Sequence, residues 1–185
     1  MKLTVTPRSG EKKSDVKQIR REGNIPAIIY SSAGQTKKIV VNGEEFNAVL
    51  RGLQPGHLPT TTFVLHDGNT EKRAIIKDIQ YHLTTYKVSH LDFEELQEGV
   101  PVVVRVPVTC AGVMDCAGVK QGGFLYYIMR HVRVTCLPQA IPSEFQVDVR
   151  DLGIRQARRV KDIQMPAGVR PLEKLDEVVV IVSKR

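Results

Sequence analysis

Short runs of apolar residues separated by turn signals, with few long helical periods, dominate the hydrophobic pattern of the chain. Leu3 and Val5 alternate with polar residues like a short strand, and residues 7–13 form a polar loop. Val16 and Ile19 then recur at helical spacing. Ser14 is placed to cap a helix over residues 15–22, Gly23 stands where a helix-ending glycine belongs, and Pro26 forbids continuation. Residues 25–30 and 38–42 read as strands. Phe46, Val49, Leu50 and Leu53 fall at i, i+3, i+4 and i+7, behind Asn42 and the acids Glu44 and Glu45, and Gly52 closes this second short helix. Residues 61–66 and 72–81, joined through Asp67-Gly68-Asn69, predict a β-hairpin, and residues 86–93 predict one more strand.

Glu94-Glu95-Leu96-Gln97-Glu98-Gly99 reads as an acidic hinge, which divides the chain into domains 1–93 and 94–185. Beyond it, residues 100–109, 124–137, 144–149, 160–163 and 178–182 are rich in β-branched residues, so the second half predicts an all-β module. Pro101 and Pro107 argue against a central place in the sheet for at least part of its first strand. Residues 111–123 are glycine-rich and read as a flexible loop.

Charge narrows the function. The chain carries a formal net charge of +7, which favours polyanions, nucleic acid before anionic membrane. The sharpest local excess lies in residues 1–21, where Lys2, Arg8, Lys12, Lys13, Lys17, Arg20 and Arg21 face only Glu11 and Asp15. On the first helix Lys13, Lys17, Arg20 and Arg21 share one side and Val16 and Ile19 the other, giving an apolar underside and a basic outer face. Such a face neutralises phosphates and releases counterions. Trp is absent and aromatics make up 5%, too few for a single-strand binder that works mainly by stacking.

A second constellation sits on strands. Residues two apart in a strand share a face, so Asp78 groups with Gln80, and His90 with Asp92. Polar side chains arrayed in this way could contact base edges or ribose hydroxyls in the wide minor groove of an RNA helix. On the residues alone a His–Asp pair that merely ties two strands together is the better reading, because most side-chain hydrogen bonds are structural.

Other chemistries find little support. Cys110, Cys116 and Cys136 are odd in number, lack zinc-like spacing and carry no nucleophile signature, so they read as inert thiols in a reducing compartment, with no metal and no catalytic residue. No Walker-type glycine motif occurs, and no cofactor or small-molecule substrate is implied. The first residues lack the apolar stretch of a signal peptide and no run approaches a membrane span, so a cytoplasmic location without membrane partners is expected.

Three stretches together identify a family: Lys17-Gln18-Ile19-Arg20-Arg21-Glu22-Gly23-Asn24-Ile25-Pro26-Ala27-Ile28-Ile29-Tyr30, Lys77-Asp78-Ile79-Gln80-Tyr81-His82, and His90-Leu91-Asp92-Phe93. With Val106-Pro107-Val108, Val134-Thr135-Cys136-Leu137-Pro138 and Met165-Pro166-Ala167-Gly168-Val169 in the second half, the chain resembles bacterial large-subunit ribosomal protein twenty-five in its long, two-domain form, the CTC or general stress protein family. The resemblance implies a mainly β protein: an N-terminal six-stranded β-barrel with two or three short helices, followed by a second all-β domain. It implies a non-enzymatic structural component of the large ribosomal subunit that binds 5S ribosomal RNA through its first domain, the second facing other ribosomal proteins and RNA. The alternative is an RNA-binding stress or regulatory protein acting outside the ribosome. By position, Lys17 and Arg20 match basic RNA-contact sites, Tyr30 the tyrosine at the RNA face, and Gln80, His90 and Asp92 the polar groove-contacting positions. Arg8, Lys13 and Arg21 join the RNA-binding set through charge and proximity. The chain departs from the family at Gln18, Ser31 and Leu83, where a basic residue, glycine and proline are common.

Overall fold

The computed structural model describes residues 1–185 apart from 9, 11, 32, 33, 35, 69 and 185. The chain divides into two compact units, Met1–Val100 and Pro101–Arg185. In the first, six strands close a barrel in the order β1-β3-β2-β6-β5-β4. They are β1 (Lys2–Pro7), β2 (Ile25–Tyr30), β3 (Thr36–Val41), β4 (Thr62–Asp67), β5 (Thr70–Tyr81) and β6 (Val88–Glu95). Two parallel seams, β1 with β4 and β2 with β6, close the circle, and the other pairs are antiparallel.

Alternation produces the core. Leu3 and Val5, Ala27 and Ile29, Ile39 and Val41, Phe63 and Leu65, Ala74 and Ile76, and Leu91 and Phe93 all point inward and are buried. Helix α1 (Lys13–Arg21) lies between β1 and β2, and α2 (Gly43–Gly52) follows β3. The second helix adds fully buried Phe46, whose ring meets Phe63 at 6.5 Å between centroids, and Phe63 in turn meets Phe93 edge-on at 6.2 Å. Asn42 caps α2 by accepting at Oδ1 from the amides of Glu44 (2.9 Å) and Glu45 (3.3 Å).

Helix α1 begins differently from the expectation. It starts at Lys13 behind an extended Lys12, with no side-chain cap. The hydroxyl of Ser14 donates to Asp15 Oδ1 instead of holding the helix amides. Its end is as expected. Gly23 takes φ +84°, and the amides of Gly23 and Asn24 bond back to Arg20 O and Ile19 O, closing the helix on its own carbonyls. This turn abuts the start of α2 so closely that a Cβ on Gly43 would collide with Gly23 O.

The expected hairpin is β4–β5, turning at Gly68 with φ +58°, while Asn69 lies outside the described residues, as do Ser9 and Glu11 of the polar loop. The acidic hinge needs correction. Glu94 and Glu95 continue strand β6, with Lys77 Nζ at 2.8 Å from Glu94 Oε2 and Lys72 Nζ at 2.6 Å from Glu95 Oε1. These pairings neutralise the acids that made the segment look like a linker.

The second unit holds two sheets. One has the order β10-β7-β9-β12 and the other β11-β13-β8, from β7 (Val102–Ala111), β8 (Phe124–Tyr127), β9 (His131–Cys136), β10 (Phe145–Asp148), β11 (Ala157–Arg159), β12 (Arg170–Pro171) and β13 (Val178–Ser183). Their valines form the core, among them Val104, Val106, Val132, Val134, Val147 and Val180. Strand β7 pairs with β9 over residues 102–107 and with β10 only over residues 108–111. Pro107 sits at this exchange of partners, where one side of the strand is open, as a residue without an amide requires.

Three expectations fail here. The glycine-rich stretch is not a loose loop: it holds a 3-10 turn (Val113–Asp115) and helix α3 (Ala117–Lys120). A Cβ on Gly118 would clash with Val182 and with the Leu152–Gly153 backbone, so glycine there permits close approach rather than mobility. Residues 124–137 break at 128–130 into strands of different sheets, and residues 160–163 open on a 3-10 turn (Val160–Asp162) rather than a strand.

Candidate nucleic-acid interface

The basic face of α1 is built as its spacing requires. Val16 and Ile19 are half-buried on the side toward the barrel, and Lys13, Lys17 and Arg21 are exposed around one shallow depression. Arg20 leaves that row. Its Nε donates to Ser89 O of β6 at 3.0 Å, which stitches the helix to the strand carrying His90 and Asp92. Arg8 stands apart, just after β1, with its amide donating to Lys38 O at 3.0 Å. Its guanidinium Nε is buried without a hydrogen-bond partner among the described residues.

Strands β5 and β6 bring the polar side chains together. Gln80 lies opposite His90, and Asp78 opposite Asp92, so the two pairs read separately from the sequence form adjoining rows on one outer face. His90 Nδ1 donates to Asp92 Oδ1 at 2.7 Å, with both side chains partly exposed. That bond fixes the imidazole so that Nε2 is the nitrogen left to a partner. The His–Asp bond is therefore within one strand, at i and i+2, and does not tie two strands together.

Tyr30 ends β2 opposite Glu94 in the parallel seam, on the face that Asp92 and Glu94 share. Burial pushes its phenol above the ordinary tyrosine range, and the carboxylates of Glu94, Asp92 and Asp78 push it further. Tyr30 thus stays a protonated hydroxyl. Lys77 follows inward-facing Ile76 and points outward to Glu94, and the bulge between Ile76 and Asp78 keeps Asp78 and Gln80 on the same outer face. The sequence reading missed Lys77 and Glu94. Glu94 was legible, since it continues the outward alternation of His90 and Asp92, whereas the bulge leaves no sequence signal.

The two surfaces differ in chemistry. The helix face is cationic and suits phosphate oxygens. The strand face, with three carboxylates of which Glu94 is paired with Lys77, an amide, an imidazole and a phenol, suits donors such as ribose hydroxyls and base amines more than phosphate.

The cysteines are not drawn into a site among the described residues. Cys116 and Cys136 are buried and Cys110 half-buried. Cys116 Sγ donates to Leu152 O at 3.3 Å, and burial raises the Cys110 thiol above its ordinary range. Among the described residues no three His, Cys, Asp or Glu side chains converge on a metal position, and no helix is long and apolar enough to cross a membrane.

Comparison with known proteins places this architecture. The model of the Ribosomal L25p family matches residues 3–93, and that of the C-terminal domain of ribosomal protein TL5 matches residues 101–185. The chain is 48% identical to the large ribosomal subunit protein bL25 of Chlamydia abortus, over the full length of both. It is 47% identical to that of Chlamydia caviae and 43% to that of Chlamydia muridarum, again over both whole chains. The chain therefore belongs to the ribosomal L25p family, in the long form that joins an L25p barrel to a TL5-type C-terminal domain.

Proposed function

We propose that the first domain, residues 1–93, binds 5S ribosomal RNA, with Lys13, Lys17, Arg20 and Arg21 on phosphates and Tyr30, Gln80, His90 and Asp92 on base edges and ribose hydroxyls. Membership of the family makes the chain a structural, non-enzymatic constituent of the bacterial large ribosomal subunit, cytoplasmic and ribosome-associated. The choice of RNA within that subunit is the proposal. The observation that carries it is the bond from Arg20 Nε to Ser89 O, which holds a cationic helix beside a strand face of acceptors. An RNA helix laid across both meets cations where its backbone runs and acceptors where its minor groove opens. Arg8 is a peripheral phosphate contact in this arrangement, and the second unit, Pro101–Arg185, meets other ribosomal components.

The test is filter binding of the full chain to 5S RNA against an unrelated folded RNA of equal length. Preference for 5S RNA that persists as salt rises supports the reading, and equal affinity for both refutes it. Sedimentation at high salt adds the cellular arm: co-migration with large subunits is expected, whereas a regulator acting outside the ribosome stays in the light fractions.

A further inference from the structure

The β5–β6 hairpin extends the strand face beyond the Gln80–His90 row, and its tip carries features that the interface described above does not use. Residues 82–87 form a loop closed on itself. The amide of His82 donates to Lys87 O at 2.8 Å, and that of Tyr86 to His82 O at 2.9 Å. His82 Nδ1 lies 3.1 Å from Thr84 Oγ1 and accepts from the Thr85 amide at 3.4 Å. Closed by these hydrogen bonds, the loop displays two large side chains to solvent: Leu83 is 91% exposed and Tyr86 79% exposed.

Tyr86 is also strained. Its φ of +53° lies in the left-handed region, which bulky L residues rarely occupy and which glycine or asparagine adopts readily. A large ring that is exposed, makes no core contact and occupies a costly backbone conformation adds nothing to the fold. Such outliers, when retained, point to a role at a binding surface.

Its surroundings say what the ring meets. Thr85 and Lys87, on either side of Tyr86, line a groove of about 420 Å³ whose opposite wall includes Arg20 and Arg21 of α1. Three cations there face one carboxylate, Glu44. Cations beside a free aromatic ring match a nucleotide, its phosphate in the groove and its base on the ring. A closed tip offers no strand edge for a protein partner to extend. We propose that the tip is a further RNA-contact element, in which Tyr86 stacks on an unpaired nucleotide whose phosphate lies against Arg20, Arg21 and Lys87. This rests on the RNA-binding reading above and assigns to it a stacking residue that charge and strand alternation do not reveal.

The experiment compares full-length wild type, Tyr86→Asn and Tyr86→Phe for affinity to 5S RNA and for thermal midpoint. Asparagine tolerates the left-handed backbone but has no ring, while phenylalanine keeps the ring. Tyr86→Asn is expected to weaken binding by about 5- to 150-fold, the range for losing one stacked base, with the midpoint unchanged or raised. Tyr86→Phe should bind within about 2-fold of wild type, since stacking needs the ring and not the hydroxyl. Binding by Tyr86→Asn equal to wild type overturns the stacking role while leaving the first domain's RNA binding intact. The same result with weakened retention on large subunits overturns it in favour of a protein contact. Lost affinity with a lowered midpoint overturns it by making Tyr86 structural, and wild type that ignores 5S RNA overturns both readings.

Discussion

Replacing Arg20 by alanine removes two separable contributions. One is the hydrogen bond from Nε to Ser89 O at 3.0 Å, an exposed contact. Net values for such bonds run about 0.5–1.5 kcal/mol, and exposure places this one at the low end, so urea unfolding should shift by about 0.5 kcal/mol. The other is one cation at the proposed RNA surface. A phosphate contact adds about 0.9 to the slope of log affinity against log salt on a duplex and about 0.7 on a single strand. The ratio of wild-type to variant affinity should therefore shrink as salt rises. Between about 50 and 200 mM salt it should fall about 3.5-fold for a duplex-like contact or about 2.6-fold for an unpaired one. Filter binding across a salt series reads this directly, and Arg20→Lys, which keeps the charge, should retain most of the slope. A variant defect that stays constant across the series would refute the phosphate contact and leave Arg20 as a positioning residue for α1.

Three further expectations concern the scaffold and its titration. Phe63 joins Phe46 to Phe93 in the barrel core, so Phe63→Ala should cost about 3–5 kcal/mol in denaturant unfolding; a loss below about 1 kcal/mol would show that the rings are not the keystone of the barrel. Asn42→Ala leaves the Glu44 and Glu45 amides without their cap and should cost about 1 kcal/mol, measured in the same way; no change would show that water replaces the cap without loss. Tyr30 holds its proton more tightly when folded than when unfolded, so its contribution to stability is full below the ordinary tyrosine value of about 10 and is lost as pH rises through the higher folded value. Phenolate absorbance of wild type minus Tyr30→Phe should place this ionisation above the ordinary range, and Glu94→Gln should bring it down; an ordinary titration would contradict the placement of Tyr30 against the carboxylates.

What could be read from the chain divides along a physical line. Local signals held: the helix over Gly43–Gly52 declares itself through Asn42, its acids and its spacing, and the strands through alternation. Properties set by distant partners did not. Glu94 and Glu95 look like linker residues until Lys77 and Lys72 are placed beside them. Gly118 looks mobile until Val182 occupies the space where its side chain would lie. Ser14 looks like a cap because no pattern reveals that its hydroxyl turns to Asp15. In the candidate interface, alternation grouped Gln80 with Asp78 and, separately, His90 with Asp92, and the resemblance added Tyr30. That Tyr30, Gln80, His90 and Asp92 lie on one surface depends on the β5–β6 pairing and on the parallel β2–β6 seam, which the closed barrel supplies. The backbone of Tyr86 carries no sequence signal, since glycine or asparagine announces a left-handed φ and tyrosine does not.

We propose that recognition of 5S RNA resides in the first unit. This is tested most directly by measuring 5S RNA affinity for the full chain, for Met1–Val100 and for Pro101–Arg185 under one salt condition, with each fragment first shown to be folded by circular dichroism. Met1–Val100 should bind within a few-fold of the full chain, and Pro101–Arg185 should bind 5S RNA no better than an unrelated RNA. Full affinity in Pro101–Arg185, with none in a folded Met1–Val100, would contradict it.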